Sequence, residues 1–207
     1  MIKEACVENL AEALKAEDNG ADQVELCGRL DLDGLTPERD LVEQVLKQIS
    51  IPVKVMVRPR GGNFVYSSSE VEEMHATIEL MKSLGVQEVV LGLLTEQGEI
   101  ACAALTRLVQ TAQPMKVTFH KAIDELADPV TGVKQLLEVK GITSVLTSGG
   151  APTAEAGVNV LQQMKVIALN QIQIIAAGKI TNKNLVAVDQ LIKADAYHGK
   201  LIVGSLK

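Results

Sequence analysis

The sequence contains no tryptophan and, in 207 residues, only two phenylalanines and two tyrosines. With 47% of the chain hydrophobic, the core must be aliphatic, built from Val, Leu, Ile and Ala. The four aromatics, Phe64, Tyr66, Phe119 and Tyr197, each lie within a few residues of a polar motif, which suggests walls of a site. Basic runs are also missing and the net charge is −6; nucleic acid or an anionic membrane surface is therefore not expected as the main partner. No apolar stretch approaches the length needed to span a bilayer. Three cysteines, Cys6, Cys27 and Cys102, form no disulfide framework, so a reducing, cytoplasmic setting is expected. Met1-Ile2-Lys3-Glu4 enters a strand pattern at once, leaving no room for a signal peptide. No low-complexity segment or linker divides the chain.

What is present is an alternation of short β-type runs and amphipathic helical runs. Strands are predicted over Ile2–Val7, Gln23–Cys27, Val53–Arg58, Glu88–Leu94, Lys116–His120, Ser144–Ser148, Ile172–Ala177 and Ala196–His198. Helices are predicted over Glu8–Asn19, Pro37–Ile49, Ser69–Leu84, Ala101–Gln113, Pro129–Val139, Thr153–Leu169 and Asn182–Ile192. Gly20, Gly85 and Gly141 read as C-terminal caps, and Thr36-Pro37 and Asp128-Pro129 as N-terminal ones. Eight strands separated by helices point to one (β/α)8 barrel domain of the TIM type over residues 1–207, with a doubly wound open sheet as the competing arrangement. Only Gly199–Lys207 follow the last strand, so the final helix should be shortened or missing.

Strand alternation sorts the polar residues onto one face. Glu4 and Cys6 share a face, as do Glu25 and Cys27, Lys54 and Arg58, and Thr118 and His120. Their alternates are aliphatic or aromatic and suit packing against outer helices. The polar face should therefore point into the barrel, with Glu4 and Glu25 pairing Lys54 and Arg58. Glu4-Ala5-Cys6 and Glu25-Leu26-Cys27 repeat one spacing on adjacent strands. Two inward thiols there are the soft ligands that select Cu(I); simple burial is the alternative, and Cys102 reads as inert.

Val57-Arg58-Pro59-Arg60-Gly61-Gly62 ends a strand in two guanidiniums, a stiffened turn and a glycine pair, as an anion site would. By parity Arg58 points inward to the carboxylates, leaving Arg60 freer to meet a ligand. His120, at a strand end with Asp124 four residues on, suits a general acid/base oriented by a carboxylate. His198 arrives similarly on the last strand, whereas His75 reads as a surface residue. Thr147-Ser148-Gly149 and Gly178-Lys179 follow the sixth and seventh strands as loops able to offer backbone donors to an anion.

Val24-Glu25-Leu26-Cys27, Gly34-Leu35-Thr36-Pro37, Arg58-Pro59-Arg60-Gly61-Gly62 with Phe64 and Tyr66-Ser67, Thr118-Phe119-His120-Lys121-Ala122 with Asp124, and Leu146-Thr147-Ser148-Gly149 together resemble the CutC family. The resemblance is collinear over nearly the whole chain. It implies a TIM-type barrel in a cytoplasmic, copper-binding protein of copper homeostasis. Family members often continue further after the eighth strand, and many have arginine where Lys121 stands. Two functions follow. One is Cu(I) handling through Cys27 and Cys6. The other is an enzyme acting on a small anionic substrate, a phosphorylated one included. In that case Glu25, His120 and Asp124 are catalytic, and Glu4, Arg58, Arg60, Thr147, Ser148, Gly149, Gly178 and His198 bind substrate. An incompletely covered barrel side suggests a homo-oligomer, no nucleotide cofactor is expected, and a non-catalytic scaffold has no positive feature.

Overall fold

Short β-branched runs and amphipathic helices alternate strictly along the computed structural model, which describes residues 1–207. The order is β1 (Ile2–Val7), α1 (Leu10–Asp18), β2 (Gln23–Leu26), α2 (Arg39–Gln48), β3 (Val53–Met56), α3 (Ser68–Ser83), β4 (Glu88–Leu91) and α4 (Cys102–Ala112). It continues with β5 (Lys116–Phe119), α5 (Pro129–Leu137), β6 (Ile142–Thr147), α6 (Val158–Ala168), β7 (Gln173–Ala176), α7 (Leu185–Ile192) and β8 (Ala196–Gly199). Short 3₁₀ turns at Leu30–Leu32 and Lys121–Glu125 follow β2 and β5. All strands run parallel to their neighbours, and β8 pairs β1, so the sheet is a closed (β/α)8 barrel and the open-sheet alternative falls.

The helix ends show both successes and corrections. Asp128 accepts from the Val130 and Thr131 N–H groups ahead of Pro129, and Gly85 (φ +84°) follows the end of α3 in the left-handed region where glycine is favoured. Pro37, by contrast, is not a first helical residue, because α2 starts at Arg39 behind an uncapped Glu38. Gly141 lies beyond α5, which has already ended at Leu137. The fourth strand stops at Leu91 rather than Leu94: Leu94 instead bridges Ile100 in a local antiparallel turn.

Outward-facing strand residues and inward-facing helix residues form one aliphatic layer that includes Val24, Val55, Val89, Leu105 and Leu161. Phe119 and Tyr197 are fully buried there. They are core, not site walls, because their strand parity turns them toward the helices. No eighth helix follows β8. Ile202 and Leu206 are instead buried against the core, and Lys15 Nζ donates to the Lys207 carbonyl at 3.0 Å, tying this segment to α1.

The barrel interior divides in two. The β6–β8 side carries an apolar cluster of Leu146, Ile175, Ala177 and Ala196. The β1–β4 side carries Cys6, Cys27, Met56 and Val90 above a layer of buried charge.

Candidate functional site

Lys54 decides the lower layer. Its ammonium is almost wholly buried and lies 3.0 Å from Glu4 and 3.1 Å from Glu88. Thr118 Oγ1 donates to Glu88 at 2.5 Å, Gln23 Nε2 donates to Glu4 at 2.6 Å, and His198 Nδ1 meets the other Glu4 oxygen at 2.9 Å. Burial alone would raise the Glu4 pKa. The charges of Lys54 and His198 outweigh it and bring Glu4 down to about 2. The predicted pairing of Lys54 with an inward glutamate holds for Glu4. It fails for Glu25, which yields to Glu88, a residue at the start of β4 whose parity with Val90 was the available signal.

Above this layer, Cys6, Glu25 and Cys27 bring one ligand atom each within 4.8 Å of one another. A second group, Glu4, Glu25 and His198, meets the same test and shares Glu25. The Cys27 thiol donates to Glu25 Oε2 at 3.5 Å, and Glu25 Oε1 is buried without any partner. Burial pushes the Glu25 carboxyl up to about 8, against the opposing pull of His198. Contact with the Cys27 thiol brings Cys6 down to about 5, with His198 assisting, while Cys27 rises. Burial works against the His198 cation, yet Glu25 when ionised, together with Cys6 and Glu4, raises its pKa well above the usual imidazole value. Met56 belongs to the same buried cluster as the two cysteines. Sequence reading passed over it, although it lies between Lys54 and Arg58 on the same inward face.

Cys6, Glu25, Cys27, Met56 and His198 line a cavity of about 1120 Å³ at the C-terminal mouth, together with Arg58, Phe64, His120 and Lys121. Arg58 does not pair with the interior carboxylates as expected. Its Nη1 donates to the carbonyls of Leu32, Asp33 and Gly34 at 3.1 to 3.2 Å, and Nη2 to Gly62 at 2.9 Å. The guanidinium thus fastens the β2–α2 loop to the turn after β3, beyond the carboxylates' reach. Arg60 is not the free arm either. It is bound to Glu70 at 2.5 Å and to the Asn63 and Val65 carbonyls, and stacks over Tyr66. Glu70 is also the third residue of the Ser67 capping box, so Arg60 belongs to the start of α3.

Asp124 does not orient His120. Its carboxylate accepts from Thr147 Oγ1 (2.5 Å), Ser148 N (3.0 Å) and Gly150 N (2.8 Å) and pairs with Lys121. The 3₁₀ turn after β5 swings it across to the β6 loop. There Thr147, Ser148 and Gly149, predicted to hold an anion, are already organised around an internal one. Gly149 N donates to Thr147 Oγ1. Gly178 lines the cavity but packs 3.0 Å (from an added Cβ) against Ala154 N and Ser148 Cβ. His120 Nδ1 instead accepts the Ala122 N–H at 3.2 Å. Burial, with Arg58 nearby, lowers His120 to about 3, so this histidine is neutral and an unsuitable base near neutrality. His75 is half-buried between α3 and α4, with Nδ1 2.8 Å from Thr111 Oγ1. It is not simply exposed.

A CutC family model matches residues 1–202. The chain is 40% identical over 195 residues to a family protein CutC of Histophilus somni, covering 94% of this chain and 80% of that one. It is 38% identical over 197 residues to the copper homeostasis protein cutC homolog of Homo sapiens, covering 95% and 72%. The crystal structure of CutC from Streptococcus agalactiae superposes with a TM-score of 0.91 at 30% identity, covering 98% and 99%. An aldolase, QR15, superposes at 0.73 with 15% identity, a likeness of fold alone.

Proposed function

The chain belongs to the CutC family, and from that footing we propose that it binds Cu(I) as cargo through Cys6 and Cys27. The observation that carries this reading is the gathering of two buried thiols within 4.8 Å, with Glu25 between them. Thiolate and thioether donors in a sheltered pocket favour Cu(I), and Met56 shares the buried cluster of the two cysteines. Cys6, lowered to about 5, is ready as a thiolate. Cys27 must lose its proton on metal binding, and Glu25 Oε2, which already accepts the thiol at 3.5 Å, takes it when that carboxyl is ionised. The two relatives named for copper homeostasis agree with this cargo. Anaerobic Cu(I) titration against a competing chelator tests it: wild type should hold one tight site that Cys27→Ser loses, and equal affinity in both would sink the proposal. Zn2+ binding tighter than Cu(I) would reassign the metal.

Free thiols fit a reducing cytoplasm, and no helix is long and apolar enough to cross a membrane. Val166 and Leu169 at α6, with Val186 and Leu191 on α7, are each at least half exposed, which supports a homo-oligomer. Light scattering that shows only monomer would remove that part.

A second reading, an enzyme for a small anionic substrate, is favoured by one observation that metal binding leaves unused. Arg58 Nε and His120 Nε2 are buried polar atoms without partners beside a cavity that both residues line. Glu25, protonated at neutral pH, would supply the proton. No thermal shift across a broad panel of small anions would refute this reading and leave the copper site standing.

A further inference from the structure

Arg58 is 4% exposed and makes no ion pair; every contact of its Nη atoms is to a backbone carbonyl. A buried cation served only by neutral dipoles calls for an anion. Nη1 is fully engaged and Nη2 has one acceptor for its two N–H groups, so the Nε–H is the nitrogen donor with no partner at all; the nearby Tyr66 hydroxyl also lacks one. His120, also 4% exposed, has a second such donor. Because Nδ1 accepts from Ala122 N–H and the ring is neutral, the proton must lie on Nε2, whose N–H has no partner. The two groups share the Phe64 ring, which lies 4.8 Å from the Arg58 guanidinium carbon and 4.7 Å from the His120 ring centre.

We propose that Arg58 and His120 form a two-donor subsite for the carboxylate of a small planar ligand laid against Phe64 in the barrel mouth. This rests on the small-anion reading and names its ligand class. One cation with one neutral donor matches a monoanion, whereas a phosphate dianion needs further donors. The β6-loop backbone N–H groups suited to a phosphate, those of Ser148 and Gly150, are occupied by Asp124. A flat aromatic face beside two single donors suits a planar group better than a tetrahedral one.

The probe is pyruvate, with inorganic phosphate for comparison, followed by NMR and calorimetry. In wild-type protein, imidazole ¹⁵N shifts should show His120 as the Nε2–H tautomer, with that proton moving on addition of pyruvate. Phosphate should bind no more tightly than pyruvate. His120→Phe, which keeps the ring contact with Phe64, should weaken pyruvate about tenfold or more. Arg58→Lys keeps the charge without the Nε–H and should do likewise, covering the case in which one variant folds poorly. An Nδ1–H tautomer, or pyruvate binding unchanged in both variants, overturns the subsite. If pyruvate fails while another anion raises the melting temperature, the subsite falls and the small-anion reading survives. If no anion binds, both fall.

Discussion

Glu4 and Glu25 occupy the same position of the same Glu-x-Cys pattern on neighbouring strands, yet they sit in opposite electrostatic states. Glu4 bonds Lys54, Gln23 and His198 and is held down to about 2. Glu25 has one unpartnered oxygen and is pushed up to about 8. The parallel register explains the split: Glu4 stands opposite Gln23, while Glu25 stands opposite Cys6, one inward layer higher. Glu4 therefore falls among the charges at the base and Glu25 among the thiols at the mouth. A closed, satisfied network fills the barrel, whereas atoms left unpaired at a cavity mark where a ligand is to come.

Removing the cation at the base tests that contrast most severely. Lys54→Met leaves Glu88 without its counter-charge and Glu4 with His198 alone, and urea unfolding should show a loss of about 3–5 kcal/mol. A loss below about 1 kcal/mol would mean that the lower layer is not a structural network. Glu4→Gln should cost on the order of 3 kcal/mol at pH 7. Because the folded pKa is depressed, from 4.5 to about 2, the wild-type advantage is complete above about 4.5. It should shrink as the pH falls toward 2, and a gap constant across that range would contradict the pairing. Glu25→Gln should change stability least near pH 4, by about 1 kcal/mol or less, since the carboxyl is protonated there both folded and unfolded. Its folded pKa is raised, so wild type should lose ground to the variant as the pH rises from about 4.5 through about 8. An advantage of wild type that grows over that interval would reverse the assignment.

Much of this was legible in advance. The strand–helix alternation and the inward face carrying Glu4, Cys6, Glu25, Cys27 and Lys54 follow from local pattern. The arginines show where such reading stops. Parity put Arg58 inside, but its carbonyl partners at Leu32, Asp33 and Gly34 come from a loop some 25 residues away, and sequence spacing is silent about them. Asp124 lies four residues from His120, yet a single 3₁₀ turn carries it to β6. The close approach behind His120 was equally hidden: a Cβ at Gly92 would meet its Nδ1 at 2.5 Å.

By itself, then, the sequence determined the fold class and which residues face inward, because strand period and helix period are local properties of the backbone. It also determined that the site would be rich in charge and thiol. Only the tertiary structure decided which carboxylate meets Lys54, which anion fills the β6 loop and which donors are left without partners. Those outcomes depend on barrel stagger and on loops meeting across the mouth, distances that no single strand contains.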